Sequence, residues 1–470
     1  MESADNPPDS SPLGLGIMSN DPKIVDRRRF VMNAVGACAT IMASANSGKK
    51  QALAADQPSR ESVDIEADNG ADLQSELNRH IGTGRVARIK SASEIHCHVR
   101  EETIAGERSD HPLIVPEGVH LDLQGSTLFL DYRSNSYGVR LSNNSSIRNG
   151  TIKVIRSEGK GSQGCWHSGI SVGAAYGHGG TPDKPGHFST VRNWTIEGIT
   201  IDQPFEASAI QLMSEACNGV IRDVTVRDSA KAFVGVGMDW GSVGPITTED
   251  AQVSRMRELW EQKQIYSTHP HHILIENLHV GRLTRNVDGN DAGVRCSACH
   301  NITIRKVHVE EAATAIAVFG GDFGYEFARD DLREYQHYGY RIEDVRIERA
   351  LLYGIVLNGS ADNIYRAHRN LGYVPVRDPV HPGLDRPVLR NITLHGGGER
   401  TDRQGIFAVA LTEGQVDHLE ISNFRLGIHV EDWVKGMRFH DVKFKANQKD
   451  TQIEGATEPA SEVTFDDAGT

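Results

Sequence analysis

Asn301-Ile-Thr-Ile-Arg-Lys-Val-His-Val309 is followed, after five residues, by Ala315-Ile-Ala-Val318. Apolar residues alternate along both runs, the pattern of strands with one face turned inward. The two-part unit returns about every 24 to 50 residues after residue 112. Upstream copies are Ser146–Val154 with Gly169–Val172, Asn193–Ile201 with Ala209–Leu212, Val220–Val226 with Phe233–Val236, and Ile273–Val280 with Ala292–Arg295. Downstream copies are Tyr340–Ile347 with Gly354–Leu357, Leu389–Leu394 with Gly405–Ala408, and His418–Phe424 with Gly427–Val430; Met437–Phe444 closes the series. No amphipathic helix recurs from copy to copy. Alternating strand–helix folds are therefore excluded, and the single-unit period speaks against the blades of a propeller. What remains is a coil of strands stacked on itself, an all-β, right-handed parallel β-helix.

Ahead of the repeat, Ala71-Asp-Leu-Gln-Ser-Glu-Leu-Asn-Arg-His-Ile81 has helical periodicity and predicts an N-terminal capping helix over the open end. Val115-Pro-Glu-Gly-Val-His-Leu-Asp-Leu-Gln-Gly-Ser-Thr-Leu128 comes after it. This opening resembles that of pectin-lyase-like β-helices, where a capping helix precedes a Pro-x-Gly turn and an L-x-L-x-x-G strand. The resemblance spans roughly residues 69–446. It implies the fold, and a superfamily of polysaccharide lyases, glycoside hydrolases, uronate epimerases and phage tailspikes, among which fold alone does not choose.

The bulk numbers agree. Of 470 residues, 38% are hydrophobic, 6% aromatic and 47 are Gly, which suits many short strands and turns. Net charge is -13. Residues 1–54 hold six Lys/Arg and five Asp/Glu, so the remainder carries -13 - (+1) = -14. Such an acidic surface disfavours nucleic acid, and a polyanionic substrate would need a local basic groove or a bound cation. No apolar run is long enough to cross a membrane. Six cysteines are present, and five remain after Cys38. Five cannot all pair within one chain. Cys296-Ser-Ala-Cys299-His300 has metal-like spacing but no second pair to complete a zinc site, which leaves turn thiols or a local disulfide.

Asp26-Arg27-Arg28-Arg29-Phe30-Val31 is followed by weakly apolar residues, Lys49, Lys50 and then Ala52-Leu53-Ala54. The segment resembles a twin-arginine export signal. The implied partner is the twin-arginine translocase, and the implied location is periplasmic or secreted. The domain reading is therefore a leader at 1–54, an N-terminal cap at 55–112, the β-helix at 113–446 and a tail at 447–470.

Loop length locates a groove. Minimal coils turn within Met213–Cys217 and Cys296–His300, whereas others carry insertions at 173–190, 239–270, 320–339 and 359–387. The second insertion holds a helical stretch, Thr248–Lys263. Coils stack about 4.8 Å apart, so the insertions should rise along one edge, with short coils as floor. Such a trough suits a linear polysaccharide or oligosaccharide; the loops serve equally as contacts in a homo-oligomer.

Three site readings stay open. In the first, Asp239 and Asp322 stand about 10 Å apart across Arg295, from two coil spacings. That is near the upper end of the carboxylate separation of inverting glycosidases, about 6.5–9.5 Å. In the second, Asn286-Val-Asp288-Gly-Asn-Asp291 resembles an element of polygalacturonase-type hydrolases, which makes Asp288 and Asp291 the carboxylates. The sequence departs from that family in having Glu310-Glu311 on the following coil. In the third, Thr268-His269-Pro-His271-His272 precedes the coil of Arg295, a loose resemblance to alginate C5-epimerases without their flanking Asp. His269 or His271 would be the base for uronate β-elimination or epimerisation, and Arg295 the carboxylate neutraliser. Trp166 and Trp240 are candidate stacking platforms, and His178 and Lys231 further substrate contacts. No cofactor is called for, except Ca2+ if the substrate is a uronan.

Overall fold

The computed structural model describes residues 60–90, 92–98, 102–104, 107–109, 113–132, 138–157, 168–173, 190–202, 208–213, 215–230, 234–239, 269–284, 292–297, 299–319, 337–359, 384–398, 401–431, 434–454 and 463–466. All belong to the unit Ser59–Thr470, so residues 1–54, read above as a leader, lie outside them. Strands of successive coils pair in parallel, and 25 of them form one continuous ladder. Three stacks run through it, each with an inward aliphatic column. Ile196, Ile221, Ile275, Ile304 and Ile342 are successive partners in the first stack. Val226, Val280, Val309, Ile347 and Leu394 follow one another in the second. Ile210, Val236, Val294, Ile316 and Ile355 do so in the third. All are buried in one shared core. The chain is a right-handed parallel β-helix. Among the described residues no helix is long and apolar enough to cross a membrane.

The coil has three sides rather than the two strands expected per unit. The long first run bends at one residue in the left-handed region, which splits it between the first and second stacks. Asn149, Asp223, Asn277, Lys306, Asp344 and Asn391 hold this corner, with φ between 52° and 58°. Asn144, Asn193, Asn218, His272 and Asn301 hold a second such corner, ahead of the first stack. Asn and Asp tolerate this conformation because their short polar side chains bond locally. Here they also bond along the stack: Asn193 Nδ2 donates to Asn144 Oδ1 at 2.9 Å, and Asn391 Nδ2 to Asp344 Oδ1 at 2.9 Å.

One close approach fixes the packing beside this corner. Trp194 is fully buried and lies beneath Gly219 of the next coil, just before the partners Thr195 and Val220. A Cβ on Gly219 would stand 1.9 Å from the indole Cζ2, so only glycine fits there.

The N-terminal helix runs Gly70–Asn78, and its N-cap Asn69 accepts from the amides of Ala71 and Asp72. It ends before the expected residue 81, because Arg79 and His80 bond back three residues and Gly82 takes φ 71°. Leu73 and Leu77 are its fully buried residues. At the other end pairing runs on past residue 446. Lys449–Ile453 joins Leu426–Val430, and Thr464–Asp466 joins Arg438–Lys445.

Candidate active-site corner

The third stack also presents an outward row. Ser171, Gln211, Gly237, Arg295, Ala317 and Val356 are successive partners. A face pointing away from the core is ordinarily solvated. Here Ser171, Gln211, Asp239, Ser297 and Asn358 are buried, and Val234, Ala292, Ala317, Val356, Phe407 and Val409 form an apolar cluster separate from the main core. Gln211 leans over the bare Gly237, its Oε1 accepting from Ser208 Oγ at 2.6 Å.

Asp239 ends the strand Val234–Asp239, is only 5% exposed and pairs with Met213. Met238 pairs with Cys296, so Ser297 follows beside Asp239. Arg295 Nε donates to Ser297 Oγ at 3.3 Å. Asp239 also reaches the turn beyond: burial, then Cys296 and Asp239, hold the Cys299 thiol well above its ordinary value. Arg295 and Asp239 therefore occupy adjacent coils on one covered face.

The same edge continues into a second group. Arg192, Cys217, His271 and His300 are successive partners at the corner leading into the first stack. The rings of His271 and His300 stack 4.8 Å apart, and Tyr338 lies 5.4 Å beyond His300. Glu215 accepts from Thr190 Oγ1 at 2.5 Å and Arg192 Nη2 at 2.8 Å, with His271 Nε2 at 3.6 Å. Burial alone would raise the Glu215 carboxyl, but His271, Thr190 and Arg192 outweigh it and hold it below the usual carboxylate range. His269, just before this group, is fully buried, whereas His271 is partly open. Sequence reasoning passed over Glu215 and Tyr338, and read His300 only as part of a cysteine spacing. The available signal was an acid inside a return loop of a few residues, where burial is hard to avoid.

A lowered carboxyl contributes stability that is present above the unfolded value near 4.5 and is lost as pH falls through the folded value. Glu215→Gln is therefore expected to lower the urea midpoint at neutral pH. The gap from the unsubstituted protein should close as the medium is acidified below about pH 4.5. A gap of constant size down to about pH 3 would show that ionised Glu215 does not hold the corner.

Asp322, Asp288, Asp291, Trp240, Trp166, His178 and Lys231 lie outside the described residues, as does the helical stretch 248–263. Glu310 and Glu311 are engaged elsewhere, with His279 at 3.1 Å and Arg349 at 2.7 Å. Cys97, Cys217, Cys296 and Cys299 are buried and in no disulfide among the described residues, so Cys296 and Cys299 are buried thiols rather than a local disulfide, with Cys296 on the strand Ala292–Ser297 and Cys299 in the turn after it.

No family model matches the chain, and no curated protein matches it. Solved structures do. The catalytic domain of a GH87 α-1,3-glucanase is similar with 13% identity and a TM-score of 0.42, over 88% of this chain and 69% of that one. The tailspike protein of an E. coli bacteriophage, in complex with a pentasaccharide, is similar with 11% identity and a TM-score of 0.45, over 84% of this chain. The chain spans 62% of that tailspike's length. The A-module of an Azotobacter vinelandii mannuronan C-5 epimerase is similar with 13% identity and a TM-score of 0.42, over 86% and 97% of the two chains.

Proposed function

We propose that the protein is an exported carbohydrate-active enzyme that hydrolyses glycosidic bonds of a glycan lying along the outer face of the third stack. One observation carries this reading: a buried carboxylate, Asp239, ends its strand on a covered polar face with Arg295 and Ser297 on the neighbouring coil. Arg295 and the buried serines and amides supply the few convergent polar groups that orient a sugar. In this scheme Asp239 protonates the leaving oxygen and Asp322 activates water from the opposite face of the ring. The glycosidic C–O bond breaks, the anomeric carbon takes hydroxide from water, and the alcohol leaves with the proton of Asp239.

A second reading has its own support. Arg295 shares this edge with a histidine whose ring is fixed by Glu215 and His300. His271 would then take the C5 proton of a uronate while Arg295 neutralises its carboxylate, giving lyase or epimerase chemistry. Incubation with a panel of neutral and uronate polysaccharides, with and without chelator, separates the two. New reducing ends without absorbance of an unsaturated uronate are expected. Appearance of that absorbance replaces hydrolysis by elimination, and binding with no turnover on any glycan removes both.

A further inference from the structure

The outward row of the third stack continues beyond Val356 through Phe407 and His429 to Gln452. His429 stands four coils from Arg295 along that row, about 19 Å at 4.8 Å per coil. Two carboxylates close on it. His429 Nε2 lies 3.7 Å from Glu431 Oε1 and 3.4 Å from Glu454 Oε1. One ligand atom from each of the three residues falls within 4.8 Å of the others. His429 and Glu431 are buried, while Glu454 is 52% exposed.

The geometry points to a divalent transition-metal site at His429, Glu431 and Glu454, of the Zn2+ type, near the C-terminal end of the coil. Two observations carry it. The first is the orientation of the imidazole. His429 Nδ1 lies 3.0 Å from Gln404 Oε1 and donates to it, so in the neutral ring Nε2 faces the carboxylates as a lone pair. A partner of this kind on the far ring nitrogen is what fixes a metal-binding histidine. The second is distance. A charge-assisted bond from an imidazolium to a carboxylate would be about 2.7–2.9 Å. Both contacts are longer, at 3.7 and 3.4 Å. Two ligands each about 2.0–2.1 Å from a tetrahedral ion stand about 3.3 Å apart.

The donor set selects the ion. Imidazole suits Zn2+ and its transition-metal neighbours, and Ca2+ and Mg2+ take oxygen ligands. Three protein ligands leave a fourth position for water. The site joins successive coils, because the Glu431 amide donates to Ala408 O and the Glu454 amide to Val430 O. It therefore clips the last coils together. In the other trio with converging donors, Glu215, Cys217 and His271, the Arg192 guanidinium already engages Glu215.

Zn2+ titrated into the chelator-treated full chain tests this by equilibrium dialysis with metal analysis, and by the visible absorption of the Co2+ form. One tightly held ion per chain is expected, with His271→Gln unchanged. Glu454→Gln should weaken binding by more than about 100-fold, and Gln404→Leu, acting through His429, by about 10–100-fold. Glu454 is half-exposed, so its variant should keep the far-UV spectrum of the parent. Failure of the chain to take up Zn2+, or Glu454→Gln titrating as the parent does, overturns the site. The glycan panel is independent of either outcome.

Discussion

In the Asp239→Asn protein, kcat on the cleaved glycan is expected to fall by about 10²–10⁴-fold, the usual share of a positioned proton donor. The amide keeps the volume and hydrogen-bonding capacity of the carboxyl but cannot release a proton. KM should therefore move little, and the far-UV spectrum should match the parent. The result is specific because Asp239 is held on the strand Val234–Asp239 and not on an insertion. Its partner Met213 and its neighbour Ser297 fix its place whatever the long loops do. A leaving group that needs no protonation, such as a nitrophenol, should recover most of the loss. An Asn variant that cleaves the natural glycan at the parental rate would remove Asp239 from the mechanism. Equal loss in Asp322→Asn, without rescue by that leaving group, would identify the second carboxylate.

Gly219→Ala is expected to be among the most damaging single-methyl changes in the described fold. The new Cβ would lie 1.9 Å from Cζ2 and 2.1 Å from Cε2 of Trp194. Trp194 is the largest fully buried side chain among the described residues, so its ring has nowhere to yield. Overpacking of this kind costs about 3 kcal/mol or more. The clash involves the six-membered part of the indole, which gives a sharper expectation. In a Trp194→Phe background the same alanine should cost at least about 1 kcal/mol less, a coupling within the range for residues in contact. Urea midpoints of the four proteins measure it. Additive losses would mean that the alanine acts through the backbone and not through the indole.

The fold was legible because each coil repeats the same alternation, and alternation at period two is what one-sided burial requires. Ile304, Val309 and Ile316 read as inward residues in the sequence and lie in the core. The third side of the coil was hidden for a physical reason. Asn149 or Asp223 at a left-handed corner looks like an ordinary polar position of a strand, since nothing in its spacing marks the bend. At the candidate site, Asp239 and Arg295 could be found because they stand at or near the ends of recognisable strands. Glu215 could not, because its meaning depends on Arg192 and His271, which only the register brings to it. The same holds for His429, Glu431 and Glu454. Their approach follows from one coil being laid on another, and no local motif records that.

The pairing of every coil with the next has a consequence for how this surface can change. Side chains on the outward face are indexed like marks on a ruler, at about 4.8 Å per mark. Lengthening an insertion alters what stands above a mark but not where the mark lies. A functional group can move along the face only by whole divisions, through gain or loss of an entire coil, and nearest-neighbour stacking allows this without disturbing the rest. Reach toward a longer or shorter ligand is therefore adjustable in discrete increments, while the spacing between Gln211, Gly237 and Arg295 stays fixed.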